Sequence, residues 1–377
     1  AGSGRRPVLP GYYPLDNIEW EFRNGTYAKG SVGQLDYDAL EDIGAAYAMA
    51  RLSGSWGDVV FGVRGEHTHQ GYTLLYPVNG SPDPAEGSQR YWDILPSVNL
   101  KLTPAERMNV RADYFRSINR PGFYEIVPYN IMGEEYTELG NPDLRRARID
   151  NVDLRWEWYP TDQDQVMAGF FYKHLKDPIE QAYYTINNRQ SGFRPDNLGS
   201  ADNWGFEVDL TKYVRHFGVK ANYTYTHSAI TTSKSQNYTA ENGDPAVRRV
   251  DQTRPLLGQA AHVANISLLY KDTSYGWSAQ LAGSYIGERL AMVSDYLDAD
   301  YWDGGLFTLD LSVEKKFGNL WTVFFKGNNL LNAKSRRYVK TTNERHAGIY
   351  KQTLDGKTLI RENTNGASLL LGVRFTL

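Results

Sequence analysis

Carboxylates and imidazoles that could bind a cation occur at two places in this chain of 377 residues. His67 and His69 lie two residues apart on the same face of one strand-like run. They would supply only two of the four ligands that a structural zinc ion needs. A second candidate is an acidic segment with carboxylates at Asp295, Asp298, Asp300 and Asp303. Calcium binds carboxylate oxygens, but the spacing of these residues matches no EF-hand loop. An acidic loop and a strand end explain both groups, so no metal and no cofactor is predicted.

A second group of side chains has the chemistry of a ligand site. Arg120, Phe123, Tyr124 and Tyr129 lie in a long polar segment at 118–148, and a guanidinium among aromatic rings can hold an anionic or aromatic ligand. The alternative is that these residues pack the segment against neighbouring strands. Catalysis is not predicted, because no nucleophile is paired with a base and the N-terminal "GSGRR" lacks the preceding strand of a phosphate loop.

The composition excludes several classes of protein. A net charge of -3, from 41 basic and 44 acidic residues, gives no attraction to nucleic acid. With no cysteine, the chain cannot form a disulfide scaffold or a thiolate metal site. No apolar run reaches the roughly 18 residues of a transmembrane helix. The 27 tyrosines and 9 tryptophans suit instead an aromatic girdle around a wet interior.

Runs with the alternating pattern of β-strands extend through the chain. They are predicted at 42–53, 58–72, 90–102, 106–117, 149–159, 165–177, 203–213, 218–230, 256–270, 276–290, 304–315, 320–333 and 365–377. Short turns alternate with long polar segments, which lie at about 73–89, 118–148, 178–202, 231–255, 291–303 and 334–364. Since outer-membrane barrels combine short periplasmic turns with long external loops, this alternation predicts an all-β, transmembrane, antiparallel up-and-down β-barrel.

The two faces of the predicted strands differ in polarity. In the hairpin "LFTLDLSVEKKFGNLWTVFFKGNNLLN" (306–332), Phe307, Leu309, Leu311 and Val313 share one face, which is predicted to contact membrane lipid. The opposite faces of many strands carry charges that need water. A ladder of opposite charges facing the lumen is therefore predicted at Arg64, Glu66, Arg111, Asp113, Arg155, Glu157, Glu207, Asp209, Asp310 and Glu314.

Several motifs resemble those of one receptor family. They are "SINRPGFYEIVPYN" (117–130), "GNPDLRRARIDNVDLRWEWYP" (140–160), "VMAGFFYKHLKDPIE" (166–180), "NWGFEVDL" (203–210), "KGNNLLNAKSRRY" (326–338) and "GVRFTL" (372–377). Together they resemble TonB-dependent outer-membrane receptors, whose barrels have about 22 strands and an N-terminal plug. The resemblance implies that 42–377 is the C-terminal part of such a barrel, with about 13 strands, and that 1–41 is an external loop or one partial strand near 17–28.

The resemblance also implies a function. A receptor of this family in a Gram-negative outer membrane would bind a scarce nutrient at its external loops, namely a ferric siderophore, haem, a cobalamin or an oligosaccharide. Uptake would use energy from the TonB protein, which contacts the plug, and a surface lipoprotein is a further candidate partner. In a complete receptor the lumen charges would face the plug.

Two other functions stay open on the residues alone. One is a passive porin or structural barrel, and the other is a soluble β-rich domain that binds or hydrolyses carbohydrate. An odd number of strands is not expected to close a single-chain bacterial barrel. Unpaired edges are therefore expected near Tyr47 and Met49 and along Leu369, Leu371 and Val373.

Overall fold

The computed structural model describes residues 36–75, 84–132, 137–187, 190–340 and 357–376. The secondary structure in these ranges is almost entirely β. Its elements are β1 (Tyr37–Gly54), β2 (Gly57–Leu74), β3 (Glu86–Ala105), β4 (Met108–Asn119), α1 (Phe123–Ile126), β5 (Asn130–Met132), β6 (Thr137–Leu139), β7 (Ala147–Trp158), β8 (Gln165–Lys176), β9 (Ile179–Asn187), β10 (Gln190–Asn197), β11 (Ser200–Val214), β12 (Phe217–Thr239), β13 (Pro245–Arg254), β14 (His262–Asp272), β15 (Trp277–Ile286), β16 (Arg289–Met292), β17 (Tyr301–Asp303), β18 (Leu306–Phe317), β19 (Trp321–Asn328), β20 (Lys334–Val339), β21 (Thr358–Thr364) and β22 (Ser368–Phe375).

Thirteen long strands form one antiparallel wall in the order β1-β2-β3-β4-β7-β8-β11-β12-β14-β15-β18-β19-β22. Each wall strand pairs with the next wall strand along the chain, so the prediction of an up-and-down barrel wall is confirmed. Within the described ranges β1 and β22 are each paired on one side only, and the wall is open there. The partial strand expected near 17–28 lies outside the described residues.

Apolar side chains point out of the wall and polar side chains point in. Adjacent residues show this clearly, since Trp92 is 68% exposed and Asp93 is 5% exposed. Because side chains alternate along a strand, the outward rows of the other wall strands are also apolar, as Leu154, Phe206 and Phe307 illustrate. This inverted polarity is typical of a barrel that meets lipid outside and water inside.

No helix within the described residues is long and apolar enough to cross a membrane.

The short connections all lie at one end of the wall. Tight hairpins there place a residue in the left-handed region, as at Arg107 (φ 61°), Arg215 (φ 55°) and Gly318 (φ 60°). Positive φ matches the twist that a two-strand hairpin needs. These turns join successive wall strands with few residues and leave the long connections at the other end.

The described parts of the long connections form a cap over that other end. The first cap sheet has the order β5-β6-β10-β9, and the second has the order β16-β17-β20-β21. The upper part of β12 extends beyond the wall and pairs with β13. These segments contain regular strands where the sequence pattern indicated only polar loops, and β12 reaches Thr239 instead of ending near 230. Most of the extra strands are short, and the two cap sheets also depend on pairings between different connections, β6 with β10 and β17 with β20, so local alternation does not reveal them.

The wall divides between β3 and β4 near the cap. Pairing of these strands reaches only as far as Ser97 and Phe115, beyond which β3 pairs with β2 alone. Pro96 stands at the division and has no N–H to donate to a neighbouring strand. The segment after β4 packs on the end of β2, in an apolar cluster formed by Tyr72, Leu74, Ile126, Val127, Tyr129 and Leu144.

Candidate functional site

Two guanidinium groups hold the segment 118–148 against the wall. Arg120 pairs with Glu66 and donates to Thr68 Oγ1 at 3.2 Å. Arg146 Nε donates to Asp93 at 2.6 Å, and its guanidinium lies 4.2 Å from the centre of the Tyr91 ring. Glu66 and Asp93 are both buried. Arg120, which sequence analysis suggested as a ligand contact, is therefore engaged with a carboxylate of β2.

The three aromatic candidates pack together at the same place. Tyr129 is 4% exposed and its ring lies 4.4 Å from that of Tyr124, while Phe123 packs against the apolar cluster. Burial, together with the hydrogen bond to Tyr124, raises the pKa of Tyr129 well above its usual value, so the phenol stays neutral. Contacts within the protein thus cover most of the surface of these three aromatic side chains. Direct contact of these residues with a ligand stays a prediction.

The cap encloses a recess that sequence analysis did not find. Its main cavity, of about 580 Å³, lies between the two cap sheets; we call it the cap recess. Its lining combines aromatic rings and apolar groups with two guanidinium groups, and consists of Tyr183, Phe193, Met292, Val293, Ser294, Tyr296, Ala299, Tyr301, Arg337, Val339, Ile360 and Arg361. A smaller cavity of about 220 Å³ shares Phe193, Met292 and Val293 with it and is also lined by Tyr129. Tyr129 is thus the one predicted candidate that reaches this region.

A second chamber adjoins the cap recess and contains several charged and hydroxyl side chains in its lining. This polar chamber has a volume of about 340 Å³ and shares Tyr183, Val293 and Ser294 with the cap recess. Lys234 and Arg254 line it, and the side chains of both are 2% exposed. Hydroxyl groups and the guanidinium of Arg249 complete much of its wall.

Two buried ion pairs join the connections that build the polar chamber. Lys234 Nζ donates to Asp300 at 2.5 Å, and Arg254 Nη2 donates to Glu180 at 2.8 Å. The first pair links β12 to the segment before β17, and the second links β13 to β9. Burial lowers the pKa of Lys234, against the opposing effect of Asp300.

Three of the four aspartates considered as cation ligands bind cationic side chains. Asp295 accepts a hydrogen bond from Arg249 at 2.7 Å, Asp303 accepts one from Arg337 at 2.8 Å, and Asp300 pairs with Lys234. His67 stacks near Trp92, with ring centres 4.9 Å apart. Across the described ranges, no group of three or more His, Cys, Asp or Glu residues is arranged to hold a metal ion.

The ten charged residues predicted to face the lumen lie on the wall face opposite the exposed apolar rows. Three ion pairs connect them: Arg64 with Glu66 at 2.6 Å, Arg111 with Glu157 at 2.9 Å, and Arg155 with Glu207 at 3.7 Å. The first pair lies within β2, the second joins the neighbouring strands β4 and β7, and the third spans from β7 to β11 across Gly169 of β8. The pair between β4 and β7 supports the sheet by cross-strand attraction.

The remaining charged residues of this set have other neighbours. Asp113 lies directly opposite Asp153, so two like charges meet across β4 and β7. Asp209 accepts a hydrogen bond from Gln165 at 2.7 Å, and Asp310 accepts one from the backbone N–H of Asn329 at 2.7 Å. Glu314 lies opposite Phe324 on β19. The inner face therefore offers a mixture of paired and open charges.

An apolar outer surface and a charged inner face, with a folded cap at one end, define an outer-membrane β-barrel. The sequence profile of the outer membrane protein beta-barrel family matches residues 15–359. The chain belongs to this family, and it is located in the outer membrane of a Gram-negative bacterium.

Solved receptor barrels share the fold. The siderophore receptor PiuA from Acinetobacter baumannii has a TM-score of 0.61 and 14% identity, over 90% of this chain and 44% of that one. The ferric yersiniabactin uptake receptor FyuA from Yersinia pestis gives 0.60 and 15%, over 90% and 46%. The copper transporter OprC gives 0.62 and 14%, over 90% and 48%. The resemblance to TonB-dependent receptors is thus confirmed for the fold, and this chain spans about half the length of these receptors.

A partial sequence match to an enzyme also occurs. Galactoside alpha-(1,2)-fucosyltransferase 1 of Saimiri sciureus is 26% identical over 187 residues, which are 48% of this chain and 47% of that enzyme. The chain therefore spans about half the length of the curated relatives it matches. A match of this identity and extent does not establish a family, and no activity is inferred from it.

Single introduced cysteines should report which end of the barrel is outside, because the chain has no cysteine of its own. Glu241→Cys, between β12 and β13, should react with a membrane-impermeant maleimide on intact cells. Ser274→Cys, in the short β14–β15 turn, should react only after the outer membrane is permeabilised. The fraction of protein that has reacted with the maleimide is measured by its shift on a gel. If only Ser274→Cys reacted on intact cells, the short turns would be external and the expected orientation would be wrong.

Proposed function

We propose that this protein is a receptor that binds a scarce nutrient in the cap recess and imports it with energy from the TonB protein, which would act through a plug domain. The observation that carries the proposal is the position of the recess, between folded external connections and above a polar lumen. Such a ligand would first meet the cap and then the charged inner face of the wall. The role of the protein in this proposal is binding and transport, without catalysis.

The lining of the cap recess supports recognition of a specific ligand. Ligand sites are mostly apolar and aromatic, with a few placed polar groups, and this recess combines Phe193, Tyr296 and Tyr301 with Arg337. Asp303 orients the guanidinium of Arg337 at 2.8 Å. Ferric siderophores, haem, cobalamins and oligosaccharides all present rings or polar groups that such a surface can contact.

The inward segment 118–148 weighs against a passive porin. Arg120 and Arg146 hold this segment on the inner side of β2 and β3, where it occupies part of the barrel mouth. An apolar cluster that includes Ile126 and Leu144 fixes it further. A porin needs an open aqueous path, whereas a receptor needs a shaped surface at its mouth.

Uptake by the full-length receptor tests the proposal. Its gene is expressed in a host that lacks other receptors, and labelled ferric siderophores, haem, cobalamin and oligosaccharides are offered in turn. Accumulation of one of them should require both the receptor and TonB. Equilibration that is equally fast without TonB would establish the porin function instead, and accumulation of none of them by cells that display the receptor would contradict the proposal.

One variant in the same assay connects uptake to the recess. Tyr296 lines the recess and is 38% exposed, so removing its ring leaves the fold largely unchanged. Tyr296→Ala should raise the concentration for half-maximal uptake about tenfold, the effect of losing one aromatic contact of a binding site. Tyr275→Ala, in a turn at the opposite end, is the matched control and should have no effect.

A further inference from the structure

The polar chamber beside the cap recess is lined by more cationic than anionic side chains. Three cationic side chains line it, Lys234, Arg249 and Arg254, whereas Asp295 is the one carboxylate in its described lining. The carboxylates that pair with Lys234 and Arg254 belong to Asp300 and Glu180, which lie behind the lining. Arg249 is paired with Asp295, so each cation has a carboxylate partner and the chamber presents hydrogen-bond donors rather than net positive charge.

Two polar atoms of the lining are buried without a hydrogen-bond partner. Arg254 Nη1 donates to the Pro255 carbonyl at 3.0 Å and Nη2 donates to Glu180, but Nε has no acceptor. The hydroxyl of Thr232 is likewise buried and unpaired. Arg254 is 4% exposed. A buried donor on a charged group is costly when it is left unsatisfied, so Arg254 Nε calls for an acceptor. Gln252 Oε1, opposite Thr232 on β13, is also buried without a partner, and the Thr232 hydroxyl can donate either to it or to a group in the chamber.

We propose that the polar chamber binds a compact oxyanion, a carboxylate or a phosphate group, which belongs to the ligand whose apolar part occupies the cap recess. This inference rests on the proposed function, because it assigns the chamber to the same ligand. Oxyanions accept several hydrogen bonds and pair strongly with guanidinium groups. Arg254 Nε–H and the Thr232 hydroxyl supply the donors, and the ion-paired side chains of Lys234 and Arg249 lie in the same lining.

The shared lining of the two cavities supports a single ligand that spans both. Tyr183, Val293 and Ser294 border both spaces, so a molecule in the recess can extend a polar group into the chamber. A cation would find no unpaired carboxylate in the described lining, because Asp295 is paired with Arg249, and an uncharged ring would leave the donors unmatched. The substrate class that fits both parts is an amphiphilic anion.

Titration calorimetry of the full-length receptor in detergent tests the chamber. Inorganic phosphate and acetate are the two probes, each titrated at constant ionic strength against chloride, and they distinguish a phosphate site from a carboxylate site. Saturable binding of at least one probe is expected. Thr232→Val and Arg254→Lys should each weaken it about tenfold, which corresponds to one lost charge-assisted hydrogen bond.

Thr224→Val is the matched control, since Thr224 lies on the same strand but on the inner face of the wall. Binding in this variant should be unchanged. If Arg254→Lys fails to fold, as judged by its circular dichroism, Thr232→Val decides alone. Absence of saturable binding of both probes, or equal binding by Thr232→Val and the wild type, would overturn the inference.

The outcome is separable from that of the proposed function. TonB-dependent uptake with no phosphate or acetate binding would leave the receptor function standing and refute the chamber. Phosphate or acetate binding that depends on Thr232, in a protein that imports nothing, would support the oxyanion site and contradict the receptor function.

Discussion

Replacing Lys234 with methionine should destabilise the cap by about 3–5 kcal/mol, the typical cost of leaving one member of a buried ion pair without its partner. The substitution keeps a long side chain but removes the ammonium group, and Asp300 would remain buried with its negative charge uncompensated. Asp300 also accepts a hydrogen bond from the backbone N–H of Ser294 at 2.7 Å. The loss should therefore spread to the part of the cap recess that contains Ser294.

Hydrogen exchange of the second cap sheet measures this effect in the folded receptor. Amides of β16 and β17 should exchange faster in Lys234→Met, while those of the wall strands should not change. The double variant Lys234→Met/Asp300→Asn should recover most of the protection, because asparagine removes the charge and keeps an acceptor for Ser294. Lys220→Met, at an exposed lysine on the same strand, is the control. Equal protection in Lys234→Met and Lys220→Met would show that the ion pair does not hold the cap.

Arginine in place of Leu311 should cost about 2–4 kcal/mol of folding free energy if the site lies near the bilayer midplane. Leu311 belongs to the outward row of β18, where it stands opposite Leu281 on one neighbouring strand and Gly327 on the other. Its position in the middle of the strand places the new charge far from either headgroup region. A guanidinium there has to lose its hydration or deform the bilayer.

The adjacent residue provides a matched control for this substitution. Ser312 is next to Leu311 on the same strand, but its side chain points to the inner face, where water can solvate an arginine. Urea titration of the full-length receptor in phospholipid vesicles compares the two variants with the wild type. Ser312→Arg should change the folding free energy little. A Leu311→Arg variant as stable as Ser312→Arg would contradict contact between this outer row and lipid.

The wall could be predicted from the sequence because its information is local. A strand that faces lipid on one side and water on the other must alternate in polarity, and this pattern located β7 within two residues of its observed ends and β8 within one. The alternation of short and long connections then determined the up-and-down order. Both signals depend on residues close together in the chain.

The cap and its recess could not be predicted in this way. Phe193 and Tyr301 lie on short strands whose partners come from other connections, and neither belongs to a motif that the sequence revealed. The ion pair between Glu180 and Arg254 joins residues 74 positions apart. Composition did indicate aromatic and arginine-rich connections, but it could not show that Arg120 binds Glu66 or that Tyr129 is buried.

This separation of local and distant contacts has a consequence for the order of assembly. Wall strands pair with the next wall strand along the chain, and every second pairing closes only a short turn, so the wall can grow hairpin by hairpin. The cap needs contacts such as Lys234 with Asp300, which are 66 positions apart, and these form only after several hairpins are side by side. Membrane insertion and the shaping of the recess are therefore separate kinetic events. A chain with a damaged cap could still complete the first of them and persist as an inserted barrel without a working mouth.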